Sequence, residues 1–323
     1  MKALNHQNMA SALKLYNQAI DEKELCYLPQ DEAGFNALFL DRPVVFALMS
    51  DAEDGFILGH YDPALARYFL TMILVAPVSR RQGIGTELVN ALQQEMEAYA
   101  IGHQTAPVQM EISYFNPVNI RWTVPGTKGH THQNAQGVPL GSGAHLFFKN
   151  LGFRDFAYQN TYHMDLPLYR YPKERLRPYE ERFSKAGFRV EFYDPEKVKG
   201  MDELLEDLDN EIWSRQIPEE MGREGGPRPF PIVNDHGRVG GFAGPIVVEP
   251  DGRCWLLGVA VHSRCRGVGA ATLLFNFMCR AFQEAGALYL TLFTGESNPA
   301  RNIYESAGMK IVYSWANMRR RTK

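Results

Sequence analysis

The sequence predicts an α/β chain of two similar halves. Three observations carry this: its length, an internal repeat built on a glycine loop, and apolar runs that change from strand-like to helical spacing around that loop. At 323 residues the chain exceeds the span that one hydrophobic core usually serves, so two domains are expected. Apolar residues make up 45% and aromatic residues 12% at a net charge of −3, a globular rather than a disordered composition.

The same composition removes several function classes. No domain-wide basic excess supplies the electrostatics of nucleic-acid binding, so no nucleic-acid partner is expected. The longest apolar stretch, Phe69 to Val78, is interrupted by Thr71 and Pro77. It falls far short of the roughly 20 residues that cross a bilayer, so no membrane partner is expected either. Met1 to Lys14 lacks an apolar signal core, and a cytoplasmic location is expected. The cysteines Cys26, Cys254, Cys265 and Cys279 form no C-x-x-C pair and read as reduced thiols. Cys265 has no base near it in sequence and is given no nucleophilic role. Arg319 to Arg321, with Lys323, reads as a solvated tail.

Taken in order, the first half opens with a helix over Ala10 to Ile20, where Leu13, Tyr16 and Ile20 share a face. Hairpin-like strands follow between Pro43 and Tyr61, then a buried strand over Phe69 to Val75. Beyond a glycine loop, Leu88, Val89 and Leu92 have the spacing of an amphipathic helix. Val108 to Phe115 reads as the next strand, and Gly143 to Gly152 as a short helix stopped by glycine. The polar, proline-punctuated stretch around Tyr171-Pro-Lys-Glu-Arg-Leu-Arg-Pro separates the halves. The expected domains are therefore 1–166 and 188–323, with 167–187 as a linker.

The second half repeats the order. Phe188 to Phe192 is its first strand, and Met201 to Ile217 a helix carrying Leu204, Leu205, Leu208, Ile212 and Trp213. Pro231 to Val248 contains hairpin strands with Asp235-His-Gly as a turn signal. A buried strand over Trp255 to Val261 leads into the second glycine loop. The helix after it has Leu274, Phe275 and Met278, then come a strand over Ala287 to Phe293 and a helix over Pro299 to Gly308.

Aligning the loops sets Val75…Arg80-Arg-Gln-Gly83-Ile-Gly85 against Val261…Arg266-Gly-Val-Gly269-Ala-Ala271. Arg264 with Gly267 and Gly269 also fits the bare pattern. The register through Arg266 is chosen because it places the apolar residues of both following helices at the same offsets. From Arg80 to Phe148 is 68 positions and from Arg266 to Tyr304 is 38, so the first half carries 30 more. Most of these fall in an insert over 117–140, rich in Gly, Pro, His and Asn, that reads as a long loop. A strand ending in R-x-x-G-x-G/A and opening a helix leaves backbone N–H groups pointing outward at the positive end of the helix dipole, which cradles an anion. Such a degenerate string is expected about 0.3 times by chance in a chain this long. Two matches in one register with matching flanks are much harder to dismiss.

Each half resembles a GNAT-superfamily N-acetyltransferase domain. The resemblance rests on Leu74-Val-Ala-Pro-Val-Ser-Arg-Arg-Gln-Gly-Ile-Gly and Leu146-Phe-Phe-Lys-Asn-Leu-Gly-Phe in the first half. In the second it rests on Ala260-Val-His-Ser-Arg-Cys-Arg-Gly-Val-Gly-Ala-Ala and Glu296-Ser-Asn-Pro-Ala-Arg-Asn-Ile-Tyr-Glu-Ser-Ala-Gly-Met. It implies an α+β arrangement, a mixed and mostly antiparallel sheet splayed where acetyl-CoA lodges. The coenzyme's pyrophosphate would lie on Arg80, Arg81, Gln82, Gly83, Gly85 and Thr86 in one half and on Arg266, Gly267, Gly269, Ala271 and Thr272 in the other. Val75 and Val261 match the strand residue whose backbone pairs with pantetheine, and Ser297 with Asn298 stands where the family often has Asn. Tyr304 matches the general acid of the family, against the plainer reading of a helix tyrosine packed on the sheet.

Phe148 stands at the corresponding place in the first half, which points to the second half as the catalytic one. Glu296 is the base candidate by position, while Glu219 and Glu220 are candidates for attracting a cationic amine, and His262 reads as assisting or structural. The insert's His130-Thr-His132 lacks a third ligand at fixed spacing, so no metal is expected. The insert reads as a substrate cover or as a partner or domain interface. The function implied is acetyl-CoA-dependent N-acetylation of a small-molecule amine by a monomer or homodimer. The alternatives are an acetyl-CoA sensor or scaffold, or catalysis in the first half.

Overall fold

The computed structural model describes residues 1–321, which form two compact units, Met1–Thr161 together with the chain's end from Val312, and Tyr162–Ile311. The first unit begins with β1 (Lys2–Ala3), α1 (Ala10–Asp21), α2 (Glu32–Phe35), β2 (Val45–Met49), β3 (Gly55–Asp62) and β4 (Arg67–Val75). It continues through α3 (Ile84–His103), β5 (Gln109–Ile112), β6 (Trp122–Thr123), β7 (Thr131–His132), β8 (Val138–Pro139), α4 (Gly143–Asn150) and β9 (Arg154–Asp165). The second unit takes the end of β9 from Tyr162, then α5 (Lys173–Lys185), β10 (Phe188–Phe192), α6 (Met201–Leu208), α7 (Glu211–Met221), β11 (Pro231–Asp235) and β12 (Arg238–Gly244). There follow β13 (Val247–Val248), β14 (Cys254–Trp255), β15 (Gly258–Val261), α8 (Ala270–Glu284), β16 (Tyr289–Gly295) and α9 (Ala300–Ser306). From Val312, β17 (Lys310–Arg321) belongs to the first unit.

In the first unit the strands run in the order β1-β2-β3-β4-β5-β17-β9. β3 is buried from Gly55 to His60, on both faces, as a central strand must be. On one face Leu88, Val89, Leu92 and Met96 of α3 close a core with Ile57, Leu70 and Met110. On the other, Tyr16, Phe35 and Phe39 pack on Phe56 and Met72. β4 runs parallel to β5 and pairs with it only at Tyr68↔Met110 and Phe69↔Glu111, so the rest of β4 diverges. The divergence starts at a bulge: β3 partners step from Leu58↔Met72 to Gly59↔Leu70, leaving Thr71 unmatched.

The second unit holds an antiparallel sheet in the order β10-β11-β12-β15. Its α6/α7 face is packed by Leu204, Ile217 and Phe230, and its α8 face by Leu274, Phe275 and Met278. β15 pairs with β12 along Gly258 to Val261, and among the described residues no ladder joins its other edge to β16.

Several expectations change here. The helix expected over Met201 to Ile217 breaks into α6 and α7, because Asp209 turns left-handed at φ 46° and Asn210 caps the next helix by accepting the Trp213 N–H at 3.1 Å. The expected linker 167–187 contains α5, whose Leu176 and Phe183, two turns apart, are buried in the core of the second unit. Its polar composition belongs to the exposed face of that helix. The expected second domain, 188–323, loses its last strand: Val312 onward completes the first unit, with Trp315, Ala316 and Met318 buried there. Arg319 to Arg321 are therefore strand residues paired with Glu111, Met110 and Gln109 rather than a tail; Lys323 lies outside the described residues.

The insert is not one long loop. β6 pairs with β7, and Trp122, fully buried, lies 5.3 Å from Trp315 and donates from Nε1 to the Asn134 carbonyl at 2.9 Å. Trp122 and Val124 of the insert join Trp315 in a small buried cluster, with the Trp122 indole N–H satisfied.

Candidate functional site

The two glycine loops follow the same backbone path. Each strand ends at a valine and passes through one turn of 3-10 helix, Pro77–Ser79 or Ser263–Cys265. An extended arginine follows, Arg80 at φ −69°, ψ 158° and Arg266 at φ −77°, ψ 162°. Arg80 donates from Nε to the Val75 carbonyl at 2.9 Å, and Arg266 does the same to Val261 at 3.2 Å. Arg264 instead donates to Asp235 at 2.6 Å and to the Val239 carbonyl at 2.9 Å. The structure thus selects the register through Arg266. Next comes a left-handed residue, Arg81 at φ 65° or Gly267 at φ 83°. A left-handed glycine then opens the helix, Gly83 at φ 93° or Gly269 at φ 89°, neither with a side-chain cap. Their missing caps leave the first-turn N–H groups of α3 and α8 for another acceptor, the property an anion cradle requires. Thr86 and Thr272 sit half-buried in those first turns.

A carboxylate at or just beyond the end of a helix braces each loop. Glu24, just past α1, takes Arg80 bidentately at 2.9 and 2.5 Å, and that guanidinium holds the carboxyl below its ordinary range. Asp207 in α6 accepts from the Ser263 N–H at 2.7 Å and its hydroxyl at 2.5 Å, which depress its pKa likewise, and lies 4.0 Å from Arg266. Neither brace is marked in the sequence, because each pairs residues 56 positions apart. Gln82 donates to the Val78 carbonyl within its own turn.

The surroundings of the loops differ. A Cβ on Gly83 would meet only Glu87 Oε1, at 3.8 Å, whereas one on Gly269 would meet Tyr179 at 2.4, 2.9 and 2.9 Å. Gly83 is exposed and Gly269 half-buried; the next residue, Ile84, is half-buried and its counterpart Ala270 buried. At Gly85 the close approach is a different one, since a Cβ there would stand 3.1 Å from the Phe147 ring of α4. Ala271 is its counterpart, and the helix position matching Phe147 is the smaller Ile303.

α9 carries Tyr304 between Phe275, 5.1 Å away, and Tyr162, 5.8 Å away. Among the described residues its hydroxyl has no hydrogen-bond partner, and burial pushes the phenol up to about 12. Tyr162 donates to Glu305 at 2.8 Å, which also takes Arg301 at 3.2 Å, so the ring that flanks Tyr304 is fixed. The matching Phe148 of α4 is buried between Phe147 and Phe153 and offers no proton. The two helices stop alike: Met309 N–H bonds the Tyr304 carbonyl, and Phe153 N–H the Phe148 carbonyl, both at 3.0 Å.

Other sequence candidates are not gathered at Tyr304. Glu296 is exposed on the turn after β16, where its carbonyl accepts Arg301 at 3.1 Å. Ser297 and Asn298 are exposed, and Asn298 Oδ1 accepts the Ala300 N–H at 3.0 Å in the turn before α9. Glu219 is exposed. Glu220 is buried and cannot attract an amine, because Arg228 neutralises it through a 2.8 Å bond from Nε and a backbone N–H at 3.1 Å, with Nη2 on the second oxygen. His262 caps the 3-10 turn by accepting the Arg264 N–H at 3.2 Å; burial and the neighbouring Arg264 hold its pKa low, a structural role. Cys265 is buried, and burial pushes its thiol up to about 11.

The profile of the acetyltransferase (GNAT) family matches residues 12–113 and 189–309. The fold is similar over 99% of the chain to a GCN5-related glucosamine N-acetyltransferase region in a fungal multi-domain GH3 β-N-acetylglucosaminidase, at 15% identity and a TM-score of 0.66, with 38% of that chain covered. It is similar to a GCN5-related N-acetyltransferase from Sphaerobacter thermophilus at 14% identity and a TM-score of 0.61, covering 99% of this chain and 94% of that one. A tandem GNAT protein from the clavulanic acid biosynthesis pathway matches at 14% identity and a TM-score of 0.55, with 99% and 97% covered. No curated protein sequence matches the chain. At these identities the structural likenesses speak for the fold alone. No helix among the described residues is long and apolar enough to cross a membrane.

Proposed function

Because the chain belongs to the acetyltransferase (GNAT) family, with one family domain in each half, we propose that it is an acetyl-CoA-dependent N-acetyltransferase acting on a small-molecule amine, with Tyr304 as the general acid in the second unit. The observation that carries this reading is the Tyr304 hydroxyl, protonated through the physiological range and free of any internal acceptor, on the short helix that follows the splayed strands. The coenzyme supplies an activated thioester. The glycine loops fit its diphosphate: each presents uncapped first-turn amides beside an arginine already anchored to the strand carbonyl.

In the reaction the amine nitrogen bonds to the acyl carbon, the carbon–sulfur bond breaks, and the sulfur leaves with its electron pair. Tyr304 Oη gives that sulfur a proton, and the amine loses one to solvent. Raising the phenol's pKa keeps the donor loaded. The open edge of β15 leaves backbone groups free to orient the acyl arm.

The test is thiol release from acetyl-CoA across a panel of amines. Wild type is expected to turn over at least one, and Tyr304→Phe to lose turnover while still binding coenzyme A. Binding without turnover of any amine would favour a sensor or scaffold.

A further inference from the structure

The strand that leads into the second glycine loop changes face where its ladder ends. Val259 and Val261 of β15 pack in the α8 core and Ala260 in the α6/α7 core, the alternation of a regular strand. Continued backward, that alternation would turn Leu257 toward α8 and Leu256 toward α6/α7. The opposite is found, with Leu257 in the α6/α7 core and Leu256 in the α8 core. Gly258 is the ladder partner of Gly244 on β12, yet the Leu257 N–H bonds the carbonyl of the same Gly244 at 2.8 Å. Two residues thus oppose one, a β-bulge that sets Leu257 and Gly258 on one face. That face is covered by Trp213 of α7. A Cβ on Gly258 would stand 2.8 to 3.0 Å from three atoms of the indole, whose Nε1–H donates to the Leu257 carbonyl at 3.1 Å. Asn210 holds the Trp213 backbone N–H at 3.1 Å and Phe242 meets the ring edge-on at 5.3 Å, while part of the residue stays exposed. The bulge of the first unit is polar instead: the Thr71 hydroxyl lies 2.9 Å from His60 Nδ1 and accepts from Asn116 at 3.3 Å.

We infer that Trp213 is a specificity-determining residue of the second unit: its indole is the rigid wall that the acceptor meets at the acyl end of the coenzyme, and it selects a primary amine on an unbranched carbon with an apolar body. This rests on the acetyl-CoA reading above and deepens it by naming the acceptor class. With the diphosphate at the start of α8 and the acyl arm laid back along the open edge of β15, from Val261 toward Gly258, the arm ends beside the bulge. There the indole and Leu257 offer apolar surface. The buried carboxylate of the same helix, Glu220, is neutralised by Arg228 and is not available to hold a second ammonium. The ring is fixed at its backbone N–H, at its indole N–H and against Phe242, so it cannot yield cheaply. A methyl on the carbon beside the attacking nitrogen would have to displace it, and a wall of this kind discriminates by about 10- to 200-fold per methyl.

Initial rates of the full chain with acetyl-CoA and either 2-phenylethylamine or its α-methyl analogue read the wall directly. Wild type is expected to favour the unbranched amine at least about tenfold in kcat/KM, and Trp213→Ala to bring the ratio within about threefold. Trp213→Phe, a smaller ring with no N–H for Leu257, should fall between, which decides the matter even where Trp213→Ala does not fold. Independently of turnover, the indole N–H resonance that Trp213→Phe removes from the spectrum should shift when acetyl-CoA is added to wild type. A wild-type ratio near one, a ratio unchanged in the folded variants, an indole resonance that stays in place while acetyl-CoA binds, or turnover of other amines but of neither probe would overturn the assignment and leave the acetyltransferase reading standing. No turnover of any amine by wild type would overturn both.

Discussion

In the first unit the space beside the helix-opening Gly83 is open, whereas in the second the space beside Gly269 is filled by Tyr179, although both loops carry an extended arginine, a left-handed residue directly after it and a left-handed glycine at the helix start. The position proposed for the acid differs in the opposite sense: Tyr304 is present in the unit whose loop glycine is covered, and Phe148 in the unit whose loop glycine is open. The repeat therefore preserves the cradle, which needs only backbone conformation and one arginine, and lets its surroundings diverge. A site made of backbone survives substitution around it more readily than one made of a single hydroxyl.

The largest effect that would break this comparison is at the acid. Tyr304→Phe is expected to lower kcat about 10²- to 10⁴-fold, the usual worth of a positioned proton donor. Because burial holds the phenol near 12, the pH profile of kcat should rise as the amine deprotonates and show no descending limb until the pH approaches that value. A descending limb near neutrality would assign the acid to another group.

Next comes the insert, which only the first half has. Trp122→Ala empties a fully buried indole site and should cost about 3–5 kcal/mol of stability by chemical denaturation. A loss under 1 kcal/mol would return the segment to the status of a loose loop.

Smaller is the difference at the third glycine position. Gly85→Ala drives a methyl to 3.1 Å from Phe147 and should cost about 1 kcal/mol of stability. Gly85→Ala combined with Phe147→Ile, the pairing the second half uses, should recover part of that loss in the same denaturation assay.

The smallest effect concerns the braces. The folded pKa values of Glu24 and Asp207 are depressed by Arg80 and by Ser263 respectively. Each contributes stability that is present above its unfolded pKa and lost as pH falls through the lower folded one. Melting temperature should therefore decline below about pH 4.5, and Glu24→Gln should flatten the decline without changing the melting temperature at pH 7 by more than a few degrees.

Much of the cradle was legible because its determinants are local. The offsets of Leu88, Val89 and Leu92 from Gly85 recur at Leu274, Phe275 and Met278 from Ala271, and that agreement alone favours Arg266 over Arg264. The short helices ended at their glycines for the same reason, a left-handed stop being a property of the residue itself. What escaped the sequence depends on distant partners. Tyr179 sits in a charged, proline-bearing stretch with no periodic signal strong enough to mark a packed helix, and its place over Gly269 is tertiary. Glu220 looked like a free carboxylate because Arg228, its neutralising partner, lies across a turn. β17 gave no sign that its residues from Val312 complete the first unit, since pairing is not written in one strand's composition.

Calorimetric titration of coenzyme A into the intact, folded chain, with Gly83→Glu plus Gly267→Glu as its counterpart, tests the diphosphate cradle most directly. Wild type should take up the ligand and the double variant should not. Absence of uptake by wild type, or equal uptake by the double variant, would contradict the account.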